Sequence, residues 1–129
     1  MNSCAKWSTI WLAALSVSAT GCESLCVNTI EAEVVSPSRS YRAVVFRRDC
    51  GATTSESTQV ALVGATDSLT NTAGNVLALR NAAKVEVEWS RDTLVILLPR
   101  AAPIDYQVEE VLGTAVRYVA PTSEAQSSL

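Results

Sequence analysis

Short β-type runs separated by turn-forming clusters most constrain the fold of this chain. The clearest run is Lys84–Trp89, in which charged side chains alternate with Val85, Val87 and Trp89. This period of two predicts a strand with one buried face, and it places the apolar side chains inside. A turn at Ser90–Asp92 leads into the apolar run Thr93–Leu98, so the two runs are expected to pair as a hairpin. No amphipathic helix stands out.

Five further runs extend this pattern along the chain. Tyr41–Arg48 carries apolar side chains on both faces, which predicts a central strand. Residues 106–112 are ambiguous, because their apolar side chains also fit one turn of a helix, whereas residues 64–75 have the turn chemistry of a loop. The other predicted strands are Thr29–Val34, Thr58–Val63, Val76–Leu79 and Thr114–Val119. Together these runs predict an all-β, mainly antiparallel domain, a small meander arranged as a sandwich or an open barrel.

The amino-terminal residues have the layout of an export signal. Lys6, the only charged side chain of the first twenty-one residues, precedes an apolar segment that starts at Trp7. As a helix, this segment of about fifteen residues spans roughly 22 Å, which is shorter than a bilayer core of about 30 Å. Its small-residue exit, Ala19-Thr20-Gly21-Cys22, resembles the lipobox of bacterial lipoproteins. The resemblance implies cleavage before Cys22 and acylation of that cysteine, hence a lipid anchor in a membrane.

Two alternatives to the lipid anchor remain open. Residues 17–19 also fit an ordinary cleavage site that releases a soluble protein, and the apolar segment could instead stay as an uncleaved anchor. Glu23 differs from the Asp that resembles an inner-membrane retention signal, which slightly favours the periplasmic side of an outer membrane. The expected organisation is a signal peptide (1–21), a short tether (22–25), a β domain (26–120) and a disordered tail (121–129).

Charge and cysteine content narrow the possible partners. Without Lys6, nine basic and thirteen acidic side chains give a formal balance of −4, which opposes nucleic-acid binding and leaves the lipid as the route to a membrane. With Cys4 in the signal and Cys22 acylated, Cys26 and Cys50 remain as an even pair, which predicts one disulfide. Such a bridge stabilises a domain by about 3 to 4 kcal/mol. The alternative, a thiolate metal site, lacks histidine and C-x-x-C partners.

A longer motif resembles a family of small uncharacterised bacterial exported proteins and lipoproteins. Its hallmark here is Tyr-Arg-Ala-Val-Val-Phe-Arg-Arg-Asp-Cys-Gly-Ala-Thr-Thr at residues 41–54, and weaker similarity extends over about residues 26–119. The chain departs from the family at Ser38–Ser40, where such proteins commonly have an Asp-Gly turn. The resemblance implies a membrane-tethered β domain with a Cys26–Cys50 bridge. It implies no activity.

Side chains suited to catalysis are scarce. The absence of histidine removes the usual general base, the Ser-His-Asp arrangement and most zinc sites, and there is no Gly-rich phosphate loop. We therefore expect no enzyme, no cofactor and no metal. The best candidate is a binding loop beside Cys50, in which arginine forks suit a carboxylate; it comprises Arg47, Arg48, Asp49, Thr53 and Thr54. The alternative is a structural role, in which Gly51 lets the chain leave the strand and these side chains satisfy their neighbours.

Three further candidates have simpler structural explanations. Glu86 and Glu88 are about 7 Å apart on one strand face, as a calcium site or an acid–base pair requires. Lys84 shares that face, so an ordinary solvated surface is expected, and the same holds for Glu109 and Glu110. Trp89 is expected in the core, with an exposed aromatic anchor as the alternative.

The sequence thus predicts a non-catalytic lipoprotein that serves interaction with an envelope protein or envelope structure. A lipid-anchored inhibitor or immunity-like protein of an exported hydrolase is the alternative. An enzyme that uses carboxylates alone is a third.

Overall fold

Nine β-strands and no helix form within residues 25–51 and 53–121, the part of the chain that the computed structural model describes. The predicted signal peptide, Cys22 and residues 122–129 of the predicted tail lie outside it. The all-β prediction is therefore confirmed. The strands are β1 (Val27–Val35), β2 (Tyr41–Asp49), β3 (Ser57–Gly64), β4 (Leu77–Arg80), β5 (Glu86–Ser90), β6 (Thr93–Leu97), β7 (Ile104–Gln107), β8 (Glu110–Val111) and β9 (Thr114–Val119).

The strands form two open sheets that do not close into a barrel. The first sheet has the order β1-β2-β3-β4-β7, and every neighbouring pair in it is antiparallel. The second has the order β5-β6-β9-β8. Its β6 and β9 run parallel, whereas its other pairs are antiparallel. The fold is thus mainly antiparallel, as the sequence predicts.

A single apolar core lies between the two sheets. Alternate side chains of β2 and β3 meet those of the second sheet, as the period of two requires; the core includes Ala43, Val45, Val60, Leu62, Leu94, Ile96 and Val116. The opposite face of β2 and β3 is also buried, because Leu69 in the loop after β3 packs against Val44, Phe46 and Ala61. Burial on both faces confirms β2 as a central strand.

The hairpin and the interior row predicted from Lys84–Trp89 are confirmed. β5 and β6 pair antiparallel around the turn at Arg91 and Asp92. Val85 is buried, and Val87 and Trp89 pack against the core. The indole N–H of Trp89 also donates a hydrogen bond of 3.0 Å to the Val34 carbonyl oxygen, so this side chain joins the second sheet to β1 of the first.

The ambiguous residues 106–112 contribute to two short strands and not to a helix. Gln107 pairs with Leu77, and the backbone N–H of Val108 donates to the Val76 carbonyl oxygen at 3.1 Å. Val108 and Val111 pack against the core, so the apolar spacing that also fits a helical turn is used by consecutive extended segments. No helix able to span a bilayer occurs among the residues that the structure describes.

β1 is an edge strand that runs from one end of the domain to the other. A bulge at Glu31 interrupts its pairing with β2, and a disulfide joins Cys26, just before β1, to Cys50, just after β2. We call this the tether end, because the predicted tether at residues 22–25 directly precedes it in the sequence. With an antiparallel rise of about 3.4 Å per residue, β1 carries the chain about 27 Å to the opposite, distal end. The distal end includes the turns at 36–40, 91–92 and 112–113.

Candidate functional site

The structure separates the two arginines of the predicted binding loop. Arg47 and Arg48 are consecutive in β2, so their side chains leave the strand on opposite faces. Arg47 forms ion pairs with Glu31 of β1 and, at 3.6 Å, with Glu56. Each guanidinium therefore has its own surroundings, and the two do not form one fork for a shared ligand.

Arg48 fastens the loop before β4 to the tether end. Its Nη1 donates to the Oδ1 atoms of Asn28, at 2.7 Å, and Asn71, at 3.1 Å. Asn71 in turn donates from Nδ2 to the Cys26 carbonyl oxygen at 2.8 Å. Asn28 donates to the carbonyl oxygens of Thr70 and Thr72. Through these contacts, Arg48 helps to hold the disulfide-bonded segment against residues 70–72.

The remaining predicted residues shape the turn after β2. The Asp49 carboxylate accepts a hydrogen bond of 2.9 Å from the Gly51 backbone N–H. Gly51 adopts a φ of 107°, which is accessible to glycine, and its carbonyl oxygen accepts from the Thr54 backbone N–H at 3.2 Å. Thr53 is exposed. The side chains of this segment, apart from Thr53, are engaged with their own chain, which matches the structural role considered above.

The carboxylates of β5 lie on an ordinary exposed face. Glu86 forms an ion pair of 3.3 Å with Lys84, and Glu88 is exposed on the same face. Among the described residues there is no cluster of three or more side chains of the metal-binding types. The described residues therefore provide no third metal ligand beside Glu86 and Glu88.

A cleft at the distal end gathers polar and aromatic side chains from three turns. It has a volume of about 350 Å³. The β1–β2 turn supplies hydroxyl groups, the β5–β6 turn an indole and a carboxylate, and the β8–β9 turn a further hydroxyl; the side chains are Ser36, Ser38, Tyr41, Trp89, Asp92 and Thr114. These residues are far apart in sequence, and the packing of the two sheets brings them together.

Hydrogen bonds to other elements hold the aromatic rings of the cleft in place. The Tyr41 hydroxyl donates to the Leu112 carbonyl oxygen at 3.3 Å, and the Tyr41 backbone N–H donates to the buried Ser36 hydroxyl at 3.2 Å. Trp89 is fixed by its bond to Val34. A site whose rings are already ordered loses little conformational entropy when it binds.

Two more open depressions share lining residues with the cleft. One shares Ser36 with the cleft and is lined by Arg39. The other shares Asp92 and is lined by Arg91 and Arg117. The distal end therefore presents one continuous surface, and we call its exposed or half-buried large side chains the distal surface: Arg39, Tyr41, Trp89, Arg91, Leu112 and Arg117.

Three residues of the distal surface occupy a backbone conformation that suits glycine or asparagine. The φ angles of Arg39, Arg91 and Leu112 are 60°, 56° and 51°. Each such residue costs about 1 kcal/mol or more relative to glycine, because its Cβ crowds the backbone. Two other non-glycine residues with positive φ, Asn81 and Ala101, lie outside the distal turns. Every one of the three turns around the cleft thus contains one strained residue with a large side chain.

Sequence reasoning found only one member of the distal surface as a candidate. The sequence predicts Trp89 as a core residue with an exposed anchor as the alternative, and the structure places it half-buried against the core and at the cleft. Arg39, Arg91 and Leu112 have no local signal, since their importance depends on the backbone angle and on neighbours far away in sequence. Comparisons of the chain with protein-family models, with curated proteins and with solved structures found no match.

Proposed function

We propose that this protein is a lipid-tethered, non-catalytic interaction module of the cell envelope. The observation that carries the proposal is the opposite placement of two features along the domain. The disulfide and the start of β1 lie at the tether end, and the distal surface lies about 27 Å away, at the far end of β1. A tether at one end and a preorganised cleft at the other suit a domain that holds its recognition surface toward a partner.

The tether end has features that suit a position at a membrane surface. Cys22 is four residues before Cys26 in the sequence, so an acyl group on it would keep the tether end close to the bilayer. Leu25 and Val27 are 85% and 63% exposed there. Apolar side chains beside a lipid anchor gain free energy from contact with the headgroup boundary. The export signal and the family resemblance support the same placement.

Metabolic labelling with palmitate tests the anchor. We expect label on the full-length protein and on Cys4→Ser, and none on Cys22→Ser, because only Cys22 follows the lipobox. Membrane fractionation should then find Cys22→Ser released from the membrane. Labelling that survives in Cys22→Ser would remove the lipid from the proposal.

Site-specific photo-crosslinking tests the interaction. A benzoylphenylalanine at Leu112, which is 55% exposed on the distal surface, should give a discrete cross-linked band from intact cells. The same group at exposed Ala101, outside the distal turns, serves as the matched control. Cross-links from position 101 but not from position 112 would contradict the proposed orientation.

One observation favours a lipid-anchored inhibitor as the second candidate function. Arg91 lies at the tip of a tight turn and forms no ion pair with another described residue. Exported glycosidases commonly use a pair of carboxylates, which a projecting guanidinium would complement. Adding the protein to assays of lysozyme and exported proteases tests this. Inhibition that Arg91→Asn abolishes would support it, and no effect on any of these enzymes would contradict it.

A further inference from the structure

We infer that the distal surface binds a carboxylate-rich segment of a partner protein, with an apolar side chain of that segment entering the cleft lined by Tyr41 and Trp89. This inference names the partner chemistry of the proposed interaction module and rests on that proposal. It is carried by the state of the arginines, by the strained turns and by the composition of the surface.

The arginines of the chain divide into engaged and unengaged groups. Four have partners within the chain: Arg42 with Glu33, Arg47 with Glu31 and Glu56, Arg48 with two asparagines, and Arg80 with Asp105. Arg39, Arg91, Arg100 and Arg117 form no ion pair or side-chain hydrogen bond with other described residues, and three of these four, all except Arg100, belong to the distal surface. Their planar forks remain available for carboxylates.

The strained turns show that these side chains are not placed for stability. Glycine or asparagine at positions 39, 91 and 112 would adopt the observed φ with less strain. The residues present are instead long, exposed and suited to binding. Strain that the fold does not need, repeated in all three turns around one cleft, points to a role for the side chains themselves.

The composition of the surface selects a protein segment over a polyanion. Tryptophan, tyrosine and arginine are the residue types that dominate binding energy in protein interfaces, and all three occur here. Asp92 connects the cleft to the arginine-lined depression. Its carboxylate accepts hydrogen bonds from the backbone N–H groups of a peptide, which are donors that a row of phosphates lacks.

A peptide titration tests the inference. The probe is an eleven-residue peptide with a central leucine flanked by glutamates, and its counterpart has glutamine in place of every glutamate. Trp7→Phe and Trp11→Phe leave Trp89 as the only indole of the full chain, so fluorescence then reports on the cleft. We expect the acidic peptide to bind and to shift the Trp89 emission. We expect the glutamine peptide to bind about tenfold more weakly, since charge-assisted hydrogen bonds are lost.

Glycine variants separate binding from folding. Arg39→Gly and Arg91→Gly should each weaken binding of the acidic peptide about tenfold, while Tm rises by a few degrees because the strain is relieved. Ala101→Gly relieves the same type of strain outside the distal turns, so Tm should rise with no change in affinity. Arg100→Gln, which removes an exposed arginine outside the distal surface, should bind as the parent protein does.

Four outcomes would overturn the inference. They are unchanged affinity in Arg91→Gly, an equal loss in Arg100→Gln, equal binding of the two peptides, and Arg91-dependent binding of phosphatidylglycerol vesicles in place of the peptide. None of these outcomes affects palmitate labelling at Cys22, so the lipid tether is tested independently of peptide binding.

Discussion

A single buried hydroxyl fastens the segment that leads into the second sheet. Thr58 of β3 is only 1% exposed. Its hydroxyl donates to the Ala83 carbonyl oxygen at 2.6 Å and accepts from the Ala83 backbone N–H at 2.9 Å. One side chain thus satisfies both polar backbone groups of a residue just before β5, where no strand partner is available to them.

Thr58→Val is expected to lower the free energy of unfolding by about 2 kcal/mol or more, because it leaves both Ala83 groups without their partner. Thr58→Ser keeps the hydroxyl and should lose only about 1 kcal/mol for the missing methyl group. Urea unfolding of the two variants checks this. Equal destabilisation by valine and serine would show that shape, and not hydrogen bonding, makes Thr58 important.

Tyr118 is a second residue whose polar atom is used inside the fold. Its hydroxyl donates to the Val108 carbonyl oxygen at 2.6 Å. Burial raises the pKa of this phenol above its ordinary value, and the neighbouring Tyr106 and Glu109 act in the same direction. Because the folded pKa is raised, the stability that the neutral phenol contributes is fully present below the unfolded pKa of about 10. It is lost as pH rises through the folded pKa.

Tyr118→Phe should therefore differ most from the parent protein near neutral pH. The lost hydrogen bond makes the variant less stable there by about 1 kcal/mol. Above about pH 10 the parent protein should lose stability faster than the variant does, so that the difference shrinks. Urea midpoints measured across this range, with phenolate absorbance on the same samples, check the expectation. Parallel pH profiles would contradict it.

At the level of elements, β1 is the strand with the least packing support. Seven of its nine residues are exposed, and only Asn28 and Val34 are half-buried. It is held by the ladder to β2, by the Trp89 hydrogen bond at one end, and by the Asn28 hydrogen bonds and the Cys26–Cys50 disulfide at the other. A strand held in this way opens more readily than the central strands of its sheet.

Replacing Cys26 and Cys50 together by serine should destabilise the domain by about 3 kcal/mol, since the bridge closes a loop with a sequence separation of 24. The amides of β1 should then exchange hydrogen much faster, while those of β3 change only with global stability. Hydrogen exchange with residue resolution measures both. Equal acceleration in β1 and β3 would mean that the bridge does not specifically retain β1.

The elements predicted well from the sequence are those with a complete local pattern. In β2, β5, β6 and β9, the order of apolar and polar side chains along the strand itself indicates which faces are buried. Residues 106–112 do not, because the same apolar spacing fits a helical turn or two short strands, and only the pairing with β4 and β9 decides. The parallel pairing of β6 with β9 likewise depends on a crossover that no local pattern specifies.

The sequence predicts the candidate site only where the alternation of side chains along one strand determines which face each side chain occupies. Because Arg47 and Arg48 are adjacent in β2, the sequence predicts that their side chains lie on opposite faces. It does not predict that Arg47 pairs with Glu31 or that Arg48 donates to Asn71. The distal cleft forms only where three turns meet, and no sequence pattern reveals the positive φ angles of Leu112, which lines the cleft, or of Arg39 and Arg91, which lie beside it. A cleft of this kind is visible only in three dimensions.

At the scale of the whole molecule, the two sheets share one core and should unfold together. Trp89 packs against that core from the second sheet and bonds to Val34 of the first, so its environment depends on both. Domains of this size usually unfold in one cooperative step.

With Trp7→Phe and Trp11→Phe, urea transitions followed by Trp89 fluorescence and by circular dichroism are expected to coincide. A fluorescence transition that precedes loss of strand signal would instead show that the sheets separate before either one unfolds.

The open side of β1 has one more consequence. An unpaired strand edge is a template on which copies of the same chain can add and grow into fibrils. β1 resists this, because its bulge at Glu31 breaks the regular repeat and its exposed side chains include the charged Glu31 and Glu33. An added copy would meet an irregular, charged strand there, which makes β1 a poor template for the growth of fibrils.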